Sequence, residues 1–178
     1  MKLSLISNYF SICGGALLTS KHVVTAAHCL SSSLTSVVLG EHDLSTEYDC
    51  FFPEDGCEGP KCVDDEDCAP KHQVYQIQNF TKHPRYKELG ESHSEFDIAL
   101  LTLKKRVTFS DFVSPICLPS LEPESLGKTR PLKVLGWGNT LPGFEKQHAD
   151  RLQQLNVREV MIWNCDLKFK KFSKTDFK

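Results

Sequence analysis

The stretch Thr25-Ala26-Ala27-His28-Cys29 places an imidazole beside a cysteine, directly after the apolar run His22–Thr25. An imidazole can act as a general base when a second group holds it in one tautomer and one orientation. The neighbouring cysteine offers a disulfide that would fasten the histidine loop. The pentapeptide therefore predicts a functional histidine that follows a strand, and the rest of the chain must supply its partners.

Short apolar runs separated by Gly, Pro, Ser and Asp recur along the chain, and no internal repeat is visible. Alternation, as at Leu155 and Val157 against their polar neighbours, is typical of strands with one buried face. Many short strands with turn-rich connections predict an all-β antiparallel barrel or sandwich. Trp163 and Leu167 fall at helical spacing, so Ile162–Phe172 predicts a short C-terminal helix. The predicted strands are Leu3–Ile6, Ile12–Leu18, His22–Thr25, Ser36–Leu39, Val74–Phe80, Ile98–Leu103, Lys133–Trp137 and Leu152–Val160.

The chain has 178 residues, a formal net charge of −2 and eight cysteines. This charge gives no reason to expect nucleic acid or an anionic membrane as a partner, and no apolar run is long enough to span a membrane. The cysteine content favours an oxidising compartment and hence a secreted protein. The first seven residues show no signal-peptide cleavage pattern and are interpreted as a strand.

Residues 47–68 are rich in Asp and Glu and hold Cys50, Cys57, Cys62 and Cys68 with little core material. They are interpreted as a cross-linked surface insert with two disulfides, for which three connectivities are open. Zinc is the competing interpretation, although the spacings lack the two-residue separation common in structural zinc sites. The Asn79-Phe80-Thr81 triplet is an N-glycosylation sequon, so Asn79 is a candidate glycan site.

A carboxylate partner for the histidine is offered by Asp97, at the start of the strand-like run Ile98–Leu103. A carboxylate buried there must be paired or heavily hydrogen-bonded. Acyl transfer by a general base needs such a carboxylate to hold the imidazole. His28 and Asp97 lie far apart in sequence, so only the fold can bring them together. Taken singly, each also has an ordinary interpretation, as a partly buried structural histidine and as a turn or capping aspartate.

Four motifs follow one another along the chain: Cys13-Gly14-Gly15-Ala16-Leu17, Thr25-Ala26-Ala27-His28-Cys29, Asp97-Ile98-Ala99-Leu100-Leu101 and Gly136-Trp137-Gly138-Asn139-Thr140. Together they resemble the trypsin-like (chymotrypsin-fold) serine proteases, over about residues 3–165. His83-Pro84-Arg85-Tyr86 resembles the His-Pro-x-Tyr that precedes the aspartate segment in that family. The resemblance implies two antiparallel β-barrels. With six strand candidates the first barrel is nearly complete, and with two the second is truncated.

On this resemblance the chain divides into a first barrel at 1–112 with the insert, a Pro- and Ser-rich connector at 113–131, and a partial second barrel plus helix at 132–178. The resemblance implies that His28 is the general base and that Asp97 orients it. It also implies a disulfide between Cys13 and Cys29 that holds the histidine loop. Protein or peptide substrates are implied, and no cofactor is required.

The family's nucleophile lies in Gly-Asp-Ser-Gly-Gly, and no such motif occurs in the 178 residues. The chain is therefore expected to be a fragment of a serine endopeptidase, without its nucleophilic serine and inactive by itself. By resemblance, the partners of Cys117 and Cys165 lie outside the chain, and a light chain or propeptide is the candidate partner of Cys117. A new Cys117–Cys165 bond is the alternative.

Two further resemblances are narrower. Leu39-Gly40-Glu41-His42-Asp43 resembles the start of the family's calcium loop, which makes Glu41 a candidate calcium ligand. The insert ends in Cys68-Ala69-Pro70 and resembles the clip-domain branch, whose members act in extracellular protease cascades. Two other functions remain open: a non-catalytic homologue that serves as a binding or regulatory module, and a calcium-dependent, disulfide-rich interaction domain.

Overall fold

The computed structural model describes residues 3–8, 11–50, 68–86, 96–118, 131–140 and 148–158. Within these ranges it has eight strands and one 3-10 turn at Ala27–Cys29, which confirms the all-β class. Each predicted strand is present, with its ends moved by at most two residues. The helix predicted at 162–172 lies outside the described residues. The strands are β1 (Leu3–Asn8), β2 (Ser11–Thr19), β3 (His22–Thr25), β4 (Ser36–Leu39), β5 (Gln73–Lys82), β6 (Ala99–Leu103), β7 (Pro131–Gly136) and β8 (Gln153–Arg158).

The first six strands form one closed antiparallel barrel in the order β1-β2-β3-β6-β5-β4, with β4 paired back onto β1. In β3, β4 and β6 every second residue is buried, because successive side chains of a strand point to opposite faces. Closure leaves no free edge on this barrel, which is how small β proteins avoid edge-to-edge association. The buried core comprises Leu17, Val23, Ala27, Leu30, Leu34, Val37, Leu39, Ala99, Leu101, Leu103, Val107 and Val113.

The pairing of β3 with β6 decides where the chain's two candidate catalytic side chains lie. These strands are antiparallel, and Thr25, the last residue of β3, pairs with Ala99, the first residue of β6. The turn that follows β3 therefore lies beside the segment that precedes β6. His28 is on that turn, and Asp97 lies two residues before Ala99.

The two remaining strands, β7 and β8, form a separate antiparallel hairpin sheet. It contacts the barrel through the loop after β4. The main-chain N–H of Leu152 donates to the carbonyl of His42 (2.9 Å), and the N–H of Leu44 donates to the carbonyl of Asp150 (3.0 Å). The indole Nε1 of Trp137, a buried residue, donates to the same His42 carbonyl at 3.1 Å.

An ion pair completes this junction between barrel and hairpin. The guanidinium Nε of Arg151 lies 2.8 Å from Oδ2 of Asp43, a residue that is only 6% exposed. Hydrogen bonds from the side chain of Ser45, from Arg151 and from the Ser45 amide lower the pKa of Asp43 to about 2, against the opposing effect of burial. Asp43 is therefore ionised at every physiological pH and holds Arg151 as a charged partner.

The described part of the second barrel is limited to this hairpin, in keeping with the predicted truncation. The division of the chain into units at residues 112 and 131 stays a prediction. Among the described residues, no helix has the length and apolar character needed to cross a membrane.

Candidate active site

The structure brings His28 and Asp97 together, although 69 positions separate them in sequence. Nδ1 of the His28 ring lies 2.6 Å from Oδ2 of Asp97, and the His28 main-chain N–H donates to Oδ1 at 2.9 Å. One carboxylate thus holds both the ring and the backbone of the same residue. An ionised carboxylate can only accept, so Nδ1 carries a proton, and in the neutral ring the lone pair is then on Nε2.

The surroundings of Asp97 favour its charged form on balance. Burial alone would raise the pKa of this carboxyl, since a charge loses solvation on leaving water. Hydrogen bonds from the ring and the main chain of His28, together with one from the backbone of Ala27, outweigh burial and leave the pKa below its usual value. The side chain of His28 is 60% exposed and that of Asp97 is 29% exposed. The base is therefore open to a reacting group while its carboxylate is partly shielded.

A disulfide fastens the histidine turn, as the resemblance implied. Cys13 on β2 is bonded to Cys29 on the 3-10 turn, with the two Cα atoms 6.0 Å apart. Sγ of Cys29 also lies 3.5 Å from Nε2 of His28. Because β2 pairs directly with β3, this bond ties the turn after β3 to the neighbouring strand. The turn therefore has two attachments besides its own backbone, the disulfide and Asp97.

The structure shows one of the two disulfides predicted for the acidic insert. Cys50 and Cys68 are bonded to each other, which leaves Cys57 and Cys62 as the remaining pair of the insert. Both of those residues lie outside the described ranges, as does Cys165, so their pairing stays a prediction. Cys117 is exposed, and it is the free cysteine of the described residues.

Glu41 does not have the surroundings that calcium prefers. Its side chain is 8% exposed; Oε2 lies 2.9 Å from Nδ1 of His72, and Oε1 accepts the main-chain N–H of His42 at 2.9 Å. Calcium takes six to eight oxygen ligands, whereas both oxygens of Glu41 already have nitrogen partners. In the described ranges, the group found with metal-binding atom types close together is Cys13, His28 and Cys29, and its two cysteines form a disulfide. Calcium binding at Glu41 stays untested; because both oxygens are already paired we expect no bound ion, and no step of the chemistry uses it.

Several contacts that shape this region have no signal in the sequence. The partners Asp43–Arg151 and Glu41–His72 join segments distant in sequence, and no local pattern distinguishes them from ordinary surface charges. Phe96 has a φ of 59°, the one positive value at a non-glycine residue in the described ranges. No sequence signal predicts this conformation, since bulky residues rarely adopt it.

Comparison with known proteins places this geometry in a family. The Trypsin family model matches residues 1–50 and 65–175, which is most of the chain. The chain belongs to the trypsin family. Among its relatives, it is 38% identical over 140 residues to Melanization protease 1 of Drosophila melanogaster, covering 74% of this chain and 32% of that protein. It is 36% identical over 168 residues to CLIP domain-containing serine protease B10 of Anopheles gambiae, covering 89% of this chain and 42% of that protein.

A solved structure agrees with these relatives. The Drosophila Grass clip serine protease of the Toll pathway superimposes with a TM-score of 0.72 and 30% identity, over 95% of this chain and 46% of that one. The resemblance to trypsin-like proteases and to their clip-domain branch is thereby confirmed, as is the chymotrypsin-like fold. The chain spans less than half the length of these three proteins.

Proposed function

We propose that this chain carries the general base and its orienting carboxylate for a serine-type endopeptidase that acts in an extracellular protease cascade. The observation that supports the proposal is the double contact of Asp97 with His28, through Nδ1 at 2.6 Å and the main-chain N–H at 2.9 Å. An arrangement in which the carboxylate takes the Nδ1 side of a largely exposed imidazole suits proton transfer at Nε2, and a purely structural histidine has no need of it.

The chemistry follows from the positions of the protons. Nε2 of His28 takes the proton of the serine hydroxyl as that oxygen attacks the peptide carbonyl, and then donates it to the leaving amine. Asp97 keeps the Nδ1 tautomer and stabilises the imidazolium that forms between these two steps. Asp97 is suited to this role because its lowered pKa keeps it ionised throughout.

The 178-residue chain is proposed to be inactive by itself, since it contains no Gly-Asp-Ser-Gly-Gly. Loss of a triad nucleophile costs on the order of 10⁶ in turnover, and the remaining rate depends on the oxyanion hole and on substrate binding. The substrates are proteins or peptides in the intact enzyme. Cys117, exposed and free, is proposed to bond a light chain or propeptide.

Location outside the cell is supported by the disulfides Cys13–Cys29 and Cys50–Cys68, since such bonds persist in oxidising compartments. Two similar proteins, Melanization protease 1 and the Grass clip serine protease of the Toll pathway, carry names that refer to such processes, which supports a role in a cascade. Asn79 is proposed as a glycan site: it and Thr81 are exposed on β5.

The test compares the purified 178-residue chain with the protein translated from its complete transcript, each given an arginine or lysine ester substrate. We expect no turnover by the chain and, after activation, turnover by the longer protein. There, His28→Ala lowers kcat by about 10⁶, and Asp97→Asn by about 10⁴, the loss typical of the same change in known triads. His148→Ala, at an exposed histidine on the hairpin side, is the matched control and leaves kcat unchanged.

Two outcomes would contradict the proposal. Turnover by the 178-residue chain that disappears in His28→Ala would show that this part of the protein needs no serine from elsewhere. A complete transcript that encodes no Gly-Asp-Ser-Gly-Gly, with a product that is inactive, would favour the non-catalytic homologue instead.

A further inference from the structure

The residue directly before Asp97 has an uncommon combination of properties. Phe96 adopts a left-handed backbone with φ 59°, and the residue is 37% exposed. A bulky side chain is disfavoured in this region because its Cβ approaches the following carbonyl oxygen, and burial compensates only in part because Phe96 is not in the core. A partly exposed phenylalanine keeps a strained backbone conformation only when contacts with the surrounding structure hold it there.

Those surroundings are provided by one turn, His83-Pro84-Arg85-Tyr86. The His83 ring stacks on the Phe96 ring with centroids 4.9 Å apart and planes at 9°. The guanidinium carbon of Arg85 lies 4.2 Å from the Phe96 centroid, a distance at which a cation is attracted to the ring face. The Arg85 main-chain N–H donates to Nδ1 of His83 at 3.2 Å, which fixes the two partners relative to each other.

The same turn also holds the backbone on the other side of Asp97. The His83 main-chain N–H donates to the carbonyl of Ile98 at 3.0 Å, and the Ile98 N–H folds back to the carbonyl of Phe96 at 2.7 Å. Asp97 is therefore the central residue of a tight turn whose two flanking residues are both attached to the 83–86 turn. With both neighbours held, the direction in which the Asp97 side chain leaves the backbone is restricted.

We propose that Phe96 and Arg85 are positioning residues for Asp97: their stacking against the 83–86 turn maintains the left-handed Phe96 and so aims the carboxylate at Nδ1 and the main-chain N–H of His28. Neither residue touches the reacting atoms. Their catalytic importance rests on the proposed function, but the positioning itself is a property of this chain and can be measured without turnover.

The readout is the tautomer of His28, because an aimed Asp97 favours the proton on Nδ1 whereas free imidazole does not. The full chain, labelled with ¹⁵N-histidine, is studied by NMR at a pH where the ring is neutral. His28→Gln assigns the resonance among the seven histidines. The measured quantity is the ratio of the Nδ1–H to the Nε2–H form, with methyl resonances of the barrel core as the check of folding.

We expect Phe96→Ala to lower this ratio roughly 3- to 10-fold, which is the range of an aromatic contact. Arg85→Ala should lower it roughly 2- to 5-fold. Phe96→Tyr retains the ring and should restore the wild-type ratio. Arg106→Ala removes an exposed arginine that contacts Ser20 instead and should leave the ratio unchanged.

Phe96→Asn distinguishes the effect of ring stacking from the effect of the left-handed backbone. Asparagine tolerates positive φ but has no aromatic ring. A wild-type ratio in Phe96→Asn would overturn the proposal, since backbone conformation alone would then aim the carboxylate. Unchanged ratios in both Phe96→Ala and Arg85→Ala would overturn it too, as would an equal fall in Arg106→Ala. If Phe96→Ala fails to fold, Arg85→Ala decides, because its exposed side chain lies outside the core.

The two proposals fail separately. An inactive longer protein would remove the catalytic role of His28 and leave the tautomer result intact. Unaltered tautomer ratios would remove the positioning role of Phe96 and leave the catalytic test unaffected.

Discussion

The six-stranded barrel and the β7–β8 hairpin use similar residues with opposite results. In the barrel, Val23 and Leu101 are fully buried at 0% exposure, because closure places their face inside. In the hairpin, Val134 and Leu155 are directly paired yet are 54% and 64% exposed. The apolar side chains thus mark which face of a strand can be buried. Whether that face is buried depends on how many strands the sheet has and whether it closes.

The hairpin is nevertheless ordered against the barrel, and polar contacts provide the attachment. Asp43, His42 and Leu44 supply an ion pair and main-chain hydrogen bonds to the hairpin side. We therefore expect the free energy of unfolding to fall most for mutations in the barrel core. Loss of the Cys13–Cys29 disulfide should cost less, and mutations at the junction between barrel and hairpin should cost least.

The largest loss is expected at the barrel core. Leu101→Ala removes a fully buried side chain from β6, between β3 and β5, and should lower the free energy of unfolding by about 3–4 kcal/mol. Leu155→Ala is the matched change in the hairpin and should cost less than about 0.5 kcal/mol. Urea unfolding of both variants measures the difference. Equal losses would show that the hairpin's apolar face is buried in solution.

The next loss is expected at the histidine turn. Replacing Cys13 and Cys29 together by serine opens a loop of 16 residues and should cost about 3 kcal/mol, mostly because the unfolded chain gains freedom. Thermal unfolding under oxidising conditions measures it. A second measurement on the double variant is the tautomer of His28. If the Nδ1–H form is retained, Asp97 alone is enough to hold the histidine turn.

A smaller and pH-dependent loss is expected for Asp43→Asn. The folded pKa of about 2 is below the ordinary value of 3.8. Its contribution is therefore complete above about pH 4 and disappears as the pH falls towards 2. We expect a cost of roughly 1–2 kcal/mol at pH 7, allowing for solvent around the exposed Arg151. Unfolding curves at pH 7, 4, 3 and 2 should show the difference between Asp43→Asn and wild type shrinking as the pH falls below about 4 and nearly gone at pH 2. A difference that stays constant over this range would contradict the role of the charge.

Trp137→Phe should cost about 1 kcal/mol, because it removes the hydrogen bond from Nε1 to the His42 carbonyl and retains most of the apolar ring. Hydrogen exchange distinguishes the location of this effect. We expect faster exchange in β7 and β8 with little change in β3 and β6. Uniform acceleration would mean that barrel and hairpin unfold as one unit.

No change is expected from calcium. A bound ion stabilises the folded state by mass action, but both oxygens of Glu41 have protein partners. Melting temperatures with millimolar calcium and with a chelator should therefore agree. A calcium-dependent rise that is lost in Glu41→Gln would revive the interaction-domain alternative.

The strands were predicted well because short apolar runs bounded by turn residues are local signals, as at β3 and β6. His28 and Asp97 were found through motifs, and their meeting required the β3–β6 pairing, which no local pattern contains. Phe96 and Arg151 were not predicted as structural contacts. A positive φ is rare for phenylalanine, so the sequence favours a different backbone conformation at Phe96. Nothing in the sequence around Arg151 indicates which acidic residue it pairs with. Such features depend on tertiary contacts.

The pairing of Thr25 with Ala99 has a consequence for how this protein can vary. A slip of one residue between β3 and β6 would move Asp97 by about 3.3 Å, more than the 2.6 Å that separates it from Nδ1. Two parts of the chain hold the Asp97 segment: β3, through its pairing with β6, and the 83–86 turn. The acidic insert at 47–68 is distant in sequence from both the base and the carboxylate, so a change in its length should leave the distance between them unaltered.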